Sequence, residues 1–149
     1  MRLSLVQSRA LLGLQSPLVT VEVHLSNGLP SFTLVGLADV EVKEARERVR
    51  SALQNSGFEF PSNQRITVNL ATAVHERKGG AGLDAAIAVG LLVVQEIIPA
   101  DAIAHLAFVA ELGLDGTLRN VAGIVPLVAS ITDRAVVVSR QCEHEARIA

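Results

Sequence analysis

Residues 84–94, DAAIAVGLLVV, are apolar on nearly every side once past the opening aspartate. A helix with no polar face cannot lie on a surface, so this segment reads as one buried between other elements. The runs around it supply the cover. Residues 18–25 (LVTVEVHL) and 65–70 (RITVNL) alternate, the second with Ile66, Val68 and Leu70 on one face, which marks half-buried strands. Residues 31–35 (SFTLV) follow the first run after Ser26-Asn27-Gly28-Leu29-Pro30, and two β-rich runs around such a cluster predict a hairpin. Residues 3–12 add a further strand.

Between strands the period changes. Val42, Ala45, Val49, Ala52 and Leu53 recur at helical spacing, with Glu41, Lys43, Glu44, Glu47 and Arg48 off the stripe, so residues 40–55 form an amphipathic helix. Asp39 is its N-cap and Gly57 its stop. Residues 105–112 (HLAFVAEL) look like a central strand. Asp115-Gly116 signals a hairpin turn into residues 118–121. Residues 124–131 make a short helix despite Pro126, tolerated in a first turn, and residues 135–139 a last strand. From Gln141 something helical begins and stops at once, as expected of a piece of a longer protein.

Composition narrows the function classes. The 149 residues are half hydrophobic, enough for one domain with its own core. Cys142 is the lone cysteine, so no oxidising compartment is required and the cytoplasm is favoured. The N-terminus is broken by Arg2, Gln7 and Arg9, and the longest apolar run, 85–94, is too short for a bilayer. No membrane partner is expected. Net charge is −2, with no Trp or Tyr and four Phe, so the chain lacks both the field and the stacking platforms of an autonomous nucleic-acid binder.

The stretch RKGGAGLDAA (77–86) invites a phosphate-binding reading, and Gly80-Ala81-Gly82-Leu83-Asp84-Ala85 spells G-x-G-x-x-A. That fingerprint must follow a strand immediately, whereas residues 71–78 intervene before Gly79. No G-x-x-x-x-G-K-[ST] string occurs, so nucleotide hydrolysis is not carried here. His24, His75, His105 and His144 are scattered and Cys142-x-His144 is an isolated pair, which gives no metal site. Lys43, Arg46 and Arg50 share a helical face, a candidate phosphate stripe. The alternative is a solvated face with Lys43–Glu47 and Glu44–Arg48 paired at i,i+4.

Three strings, VEVHLSNGLPSFTLVGLADVEVKEARERVRSAL, NSGFEFPSNQRITVNLA and KGGAGLDAAIA, together resemble the N-terminal domain of the ComM/YifB family of magnesium-chelatase-like AAA+ ATPases. The match runs from about Val19 through Leu92 and continues more loosely through ELGLDGTLRNVAGIVPLV. That domain is similar to the proteolytic domain of Lon and the C-terminal domain of RadA. The resemblance therefore implies an α+β domain with the ribosomal protein S5 domain 2-like fold, a mixed sheet with helices packed on it, leading into an AAA+ module that this chain lacks. ATP and Mg belong to that module; no cofactor is expected here. In Lon-type peptidases the glycine loop carries a nucleophilic serine, and a lysine opening the later short helix is its base. Those positions fall at Gly82 and Val125, which supply neither group. The loop residues Gly79, Gly80, Gly82 and Asp84 are then structural, the glycines allowing positive φ before the helix. The family pattern P-K-E-G-G-R-F-D-L-P-I-A is altered at Arg77, Gly79, Gly82 and Ala86 and kept at Lys78, Gly80 and Asp84; losing an arginine at Gly82 removes one possible DNA contact.

The implied function is a non-catalytic domain that helps assemble a ring, a hexamer in the full-length protein, and engages DNA in branch migration during transformation and recombination. The DNA candidates are Arg77 and Lys78, with Lys43, Arg46 and Arg50 as a weaker group. The alternatives are a rewired peptidase using Ser26, Ser31 or Thr72, and an accessory domain of a magnesium-chelatase-type ATPase.

Overall fold

The computed structural model describes residues 2–10, 17–37, 39–71, 81–121, 124–129 and 131–140. The alternating segments become strands β1 (Arg2–Arg9), β2 (Leu18–Ser26), β3 (Ser31–Val35) and β4 (Arg65–Ala71). Shorter strands follow: β5 (Leu106–Phe108), β6 (Glu111–Leu112), β7 (Leu118–Arg119) and β8 (Ala135–Val137). The helices are α1 (Asp39–Asn55), α2 (Asp84–Val94), α3 (Ala100–Ile103) and α4 (Ile124–Ala129), with a 3₁₀ turn at Ala81–Leu83.

Among the described residues six strands form one mixed sheet in the order β3-β4-β2-β1-β5-β8, and β6 and β7 form a separate hairpin. The mixed α/β architecture agrees with the expectation from sequence, but the hairpin between β2 and β3 does not form. β4 lies between them, antiparallel to β2 and parallel to β3. The parallel β3–β4 pair needs a crossover, and α1 supplies it, so the turn after Ser26 opens a β-α-β unit. Residues 105–112 also divide. The in-sheet part ends at Phe108, and the chain then turns away to start the β6–β7 hairpin.

The buried face of the sheet is set by alternation: Ser4, Val6 and Ser8, then Val19, Val21, Val23 and Leu25, then Ile66, Val68 and Leu70. α2 lies on β1 and β2, and Ile87 and Leu91 are fully buried between sheet and helices. Full burial of each such side chain is worth about 1.5–3 kcal/mol. The two serines do not break this core, because Ser4 Oγ donates to the Gly90 carbonyl at 2.9 Å and Ser8 Oγ to that of Phe108 at 2.6 Å. Val109, Ile124 and Val128 form a second cluster with Val136 and Val138, whereas Val137 belongs to the main one. Since neighbours along a strand point to opposite faces, α4 covers the other side of the β5–β8 end.

Two helix ends share one device. After α1, the Phe58 N–H bonds to the Leu53 carbonyl (2.9 Å) and the Gly57 N–H to that of Gln54 (3.1 Å), with Gly57 at φ +85°. After α2, the Ile97 N–H bonds to Leu92 and the Glu96 N–H to Val93, both at 2.9 Å, with Glu96 at φ 62°. Both are Schellman motifs, and only the first has the glycine that the left-handed position favours. Glu96→Gly is therefore expected to raise stability by about 0.5–1 kcal/mol, seen as a higher urea midpoint at unchanged slope. A lower midpoint would mean that the Glu96 side chain contributes more than its backbone conformation costs.

Candidate functional site

An aspartate opening an all-apolar helix is a problem of electrostatics: a buried carboxylate must be paired or neutralised. Asp84 is 1% exposed. Arg48 of α1 grips it with two prongs, Nε to Oδ2 at 2.6 Å and Nη2 to Oδ1 at 3.2 Å, and the Leu112 N–H of β6 donates to Oδ2 at 3.1 Å. The backbone closes the same junction. Ala110 N–H donates to the Gly82 carbonyl at 3.1 Å, and the Ala110 carbonyl accepts the Ala85 N–H at 3.2 Å. That last bond satisfies a first-turn donor that the helix itself leaves unpaired. The carboxylate also faces the positive end of the helix dipole.

Burial pushes the Asp84 carboxyl up to about 6, against the opposing pull of the Arg48 guanidinium and the Leu112 N–H. Donating to the Asp84 carboxylate in turn holds Arg48 above its usual value, against the desolvation that lowers it. The start of α2 is thus occupied from within. An internal carboxylate takes the place an anion would fill, and the Ala110 carbonyl, between β5 and β6, takes a first-turn N–H, so a nucleotide phosphate does not fit here.

Gly82 lies in the 3₁₀ turn and is not among the positive-φ glycines, which corrects the conformational reason predicted for it. Its constraint is close approach: an added Cβ would stand 3.0 Å from Val121 Cγ1. A serine there would be crowded, and the Val125 side chain lies outside the described residues. Ser26 and Ser31 both flank Arg65 in register. A guanidinium holds its protons and cannot serve as a general base for either hydroxyl.

Of the candidate cations, Lys43 and Arg46 are exposed on α1, while Arg50 bonds to Glu47. Glu44–Arg48 forms as predicted, at 3.8 Å. The predicted Lys43–Glu47 pair is replaced by Glu47 with Arg50 one turn on. Asp39, Glu41, Glu44 and Glu47 balance Lys43, Arg46, Arg48 and Arg50, so α1 carries no net charge and makes a poor phosphate stripe. Arg77, Lys78, Gly79, Gly80 and Thr72 lie outside the described residues. Among the described residues no three His, Cys, Asp or Glu side chains gather as a metal site.

Two recesses border the Asp84 junction. One, of about 420 Å³, is walled by Arg48, Glu111, Gly113, Asp115 and Arg119. The other, of about 220 Å³, is apolar, with Leu53, Phe58, Leu92, Phe108 and Leu118 in its lining. Neither brings together a nucleophile and a base. The residues that sequence reasoning missed are Arg48 as partner of Asp84, and the backbone of Ala110 and Leu112. The available signal was the acid itself, since an aspartate leading an otherwise apolar helix calls for a cation from another element.

The family model described as "Subunit ChlI of Mg-chelatase" matches residues 21–141. The competence protein ComM of Haemophilus influenzae is 49% identical over 150 residues, covering 99% of this chain and 29% of that protein. The YifB protein of Escherichia coli is 44% identical over 147 residues, with 97% and 29% covered, and that of Salmonella typhimurium 50% identical over 125 residues, with 84% and 24% covered. These matches place the chain in the Mg-chelatase-like class. Within that class it belongs to the ComM/YifB family, and it spans under a third of the length of these relatives. No described helix is long and apolar enough to cross a membrane.

Proposed function

We propose that this chain is a non-catalytic, S5 domain 2-like domain of a cytoplasmic AAA+ ATPase. It supports assembly of a hexameric ring and helps that ring hold DNA during branch migration in transformation and recombination. The observation that carries this reading is the 49% identity to a competence protein along 99% of the chain. The closed start of α2 supports it: ATP and Mg are handled by the ATPase module of the full-length protein, and this domain contributes surfaces. The short edge strands β3 and β8 are surfaces through which neighbouring copies associate.

DNA engagement falls to Arg77 and Lys78, with Lys43, Arg46 and Arg50 secondary because the charge of α1 is balanced. In the full-length hexamer, Arg77→Ala/Lys78→Ala is expected to weaken DNA binding about tenfold or more and to flatten its salt dependence, since each lost phosphate contact lowers the slope by about 0.9. Lys43→Ala/Arg46→Ala should change affinity less. Affinity, salt slope and migration rate all at wild-type values, with the hexamer intact, would remove the loop from the DNA path.

The chain itself is expected to turn over neither casein nor fluorogenic peptides, because Gly82 and Val125 stand at the dyad positions. Activity that survives repurification and is abolished by a single substitution, at Ser26, Ser31 or Thr72 for example, would favour the peptidase reading instead.

A further inference from the structure

The β6–β7 hairpin is too small to hold itself. Its ladder is two residue pairs, Glu111 with Arg119 and Leu112 with Leu118, and an isolated two-stranded hairpin is marginal in water. Its anchors lie elsewhere. The Leu112 N–H reaches Asp84, the Asn55 side-chain amide donates to the Leu114 carbonyl at 2.7 Å, and Gly116 packs against Ser56 and the Ala52 carbonyl. The residue just before the hairpin, Ala110, carries the two backbone bonds to the start of α2.

We propose that Asp84 is a positioning residue that locks α1, the first turn of α2 and the β6–β7 hairpin into one cooperative unit, so that the hairpin and the start of α2 loosen together. One carboxylate accepts from α1 and from β6 while itself belonging to α2, and no two of these elements can separate without stripping a buried acceptor of a donor. Glu44 of α1 and Glu111 of β6 are the other charged groups that bear on the pair. A contact made at the exposed hairpin tip, where Leu114 is 54% exposed, is thereby felt at the start of α2. Local openings of this kind are the cooperative sub-units that amide exchange resolves.

The test perturbs the hairpin without touching the carboxylate. Gly116 sits at φ +89°, and an added Cβ would meet Ser56 Oγ and stand 3.2 Å from the Ala52 carbonyl oxygen, so Gly116→Ala strains the hairpin and its seat on the end of α1 and leaves the Asp84 carboxylate and its donors untouched. In the 149-residue chain, this substitution is expected to speed exchange of the Leu112 amide, the Ala85 amide and the Arg48 Nε–H together, each tenfold or more. Val21 and Val68 in the β2–β4 ladder should keep their wild-type rates. Gly28→Ala, at φ +147° in the β2–β3 turn, imposes backbone strain far from the junction, its added Cβ meeting only the Arg65 guanidinium, and should leave all three probes unchanged. Asp84→Asn should speed the same three probes. Should that variant not fold, the two glycine variants still decide. Faster exchange at Leu112 with Ala85 and Arg48 unchanged in Gly116→Ala would show that the hairpin opens independently and overturn the proposal. Equal acceleration of the three probes by Gly28→Ala would also overturn it, by showing global loosening.

Discussion

Arg48→Ala is expected to cost about 3–5 kcal/mol of unfolding free energy at pH 8, a large share of the roughly 5–15 kcal/mol that holds a domain of this size together. The reason is asymmetric burial. The Arg48 side chain keeps 21% of its exposure and can turn to water, whereas that of Asp84 keeps 1% and cannot. Removing the arginine leaves a charged carboxylate in the core with only the Leu112 N–H to satisfy it. The converse change, Asp84→Ala, should cost less, since the freed guanidinium still has Glu44 at 3.8 Å and a route to solvent.

The pH dependence separates this explanation from simple loss of packing. In the wild type the folded carboxyl is raised to about 6 from an ordinary 3.8, so the folded state binds the proton more tightly than the unfolded chain. Its contribution is therefore fully present below about pH 4 and is lost as pH rises through about 6. Without Arg48 the folded value moves higher still, and the loss extends to higher pH. Urea titrations should show the Arg48→Ala penalty at pH 8 well above that at pH 5, where the carboxyl neutralises itself. In an Asp84→Asn background the difference between the two pH values should vanish. An equal penalty at both, in the parent background, would mean that Arg48 acts through its aliphatic stem.

What the sequence made legible was whatever repeats within a few residues. The period of two at 18–25 and 65–70 and the wholly apolar run at 84–94 became β2, β4 and α2 almost residue for residue. Neighbours across space were not legible. Whether β3 pairs with β2 or with β4 depends on the crossover through α1, and the turn residues at 27–30 are the same in either case. The segment 106–110 is apolar throughout, so nothing local marks the point after Phe108 where the chain leaves the sheet to bond with Gly82 and Ala85. Likewise a glycine required by φ and one required by a neighbour look alike as letters. Gly57 was readable as a stop because a helix ended there, while Gly82 owes its place to Val121, 39 residues further on. Asp84 was singled out, but its partner lies 36 residues away on a different helix, where Arg48 already had a plausible surface role with Glu44.

Gly90→Ala is the second large effect expected, and it runs against intrinsic propensity. In an exposed helix the change would stabilise by about 1 kcal/mol, because glycine is the poorer helix former. Here α2 lies on β1 and β2 so closely that the added Cβ would stand 2.5 Å from Val23 Cγ2 and 3.1 Å from Ser4 Oγ. Both neighbours are buried, Val23 fully, and Ser4 is already committed to the Gly90 carbonyl. Relief must come from moving the helix off the sheet, which opens the contacts of Ile87 and Leu91 on either side. Overpacking of this kind costs about 1–3 kcal/mol after the helical gain. Trimming the obstacle should reverse it: in a Val23→Ala background, which on its own loses buried methyls, the Gly90→Ala change should become neutral or stabilising. A double-mutant cycle by urea unfolding reads that coupling. Additive effects of the two substitutions would show that the methyl finds room elsewhere and that Gly90 is not what sets the distance between helix and sheet.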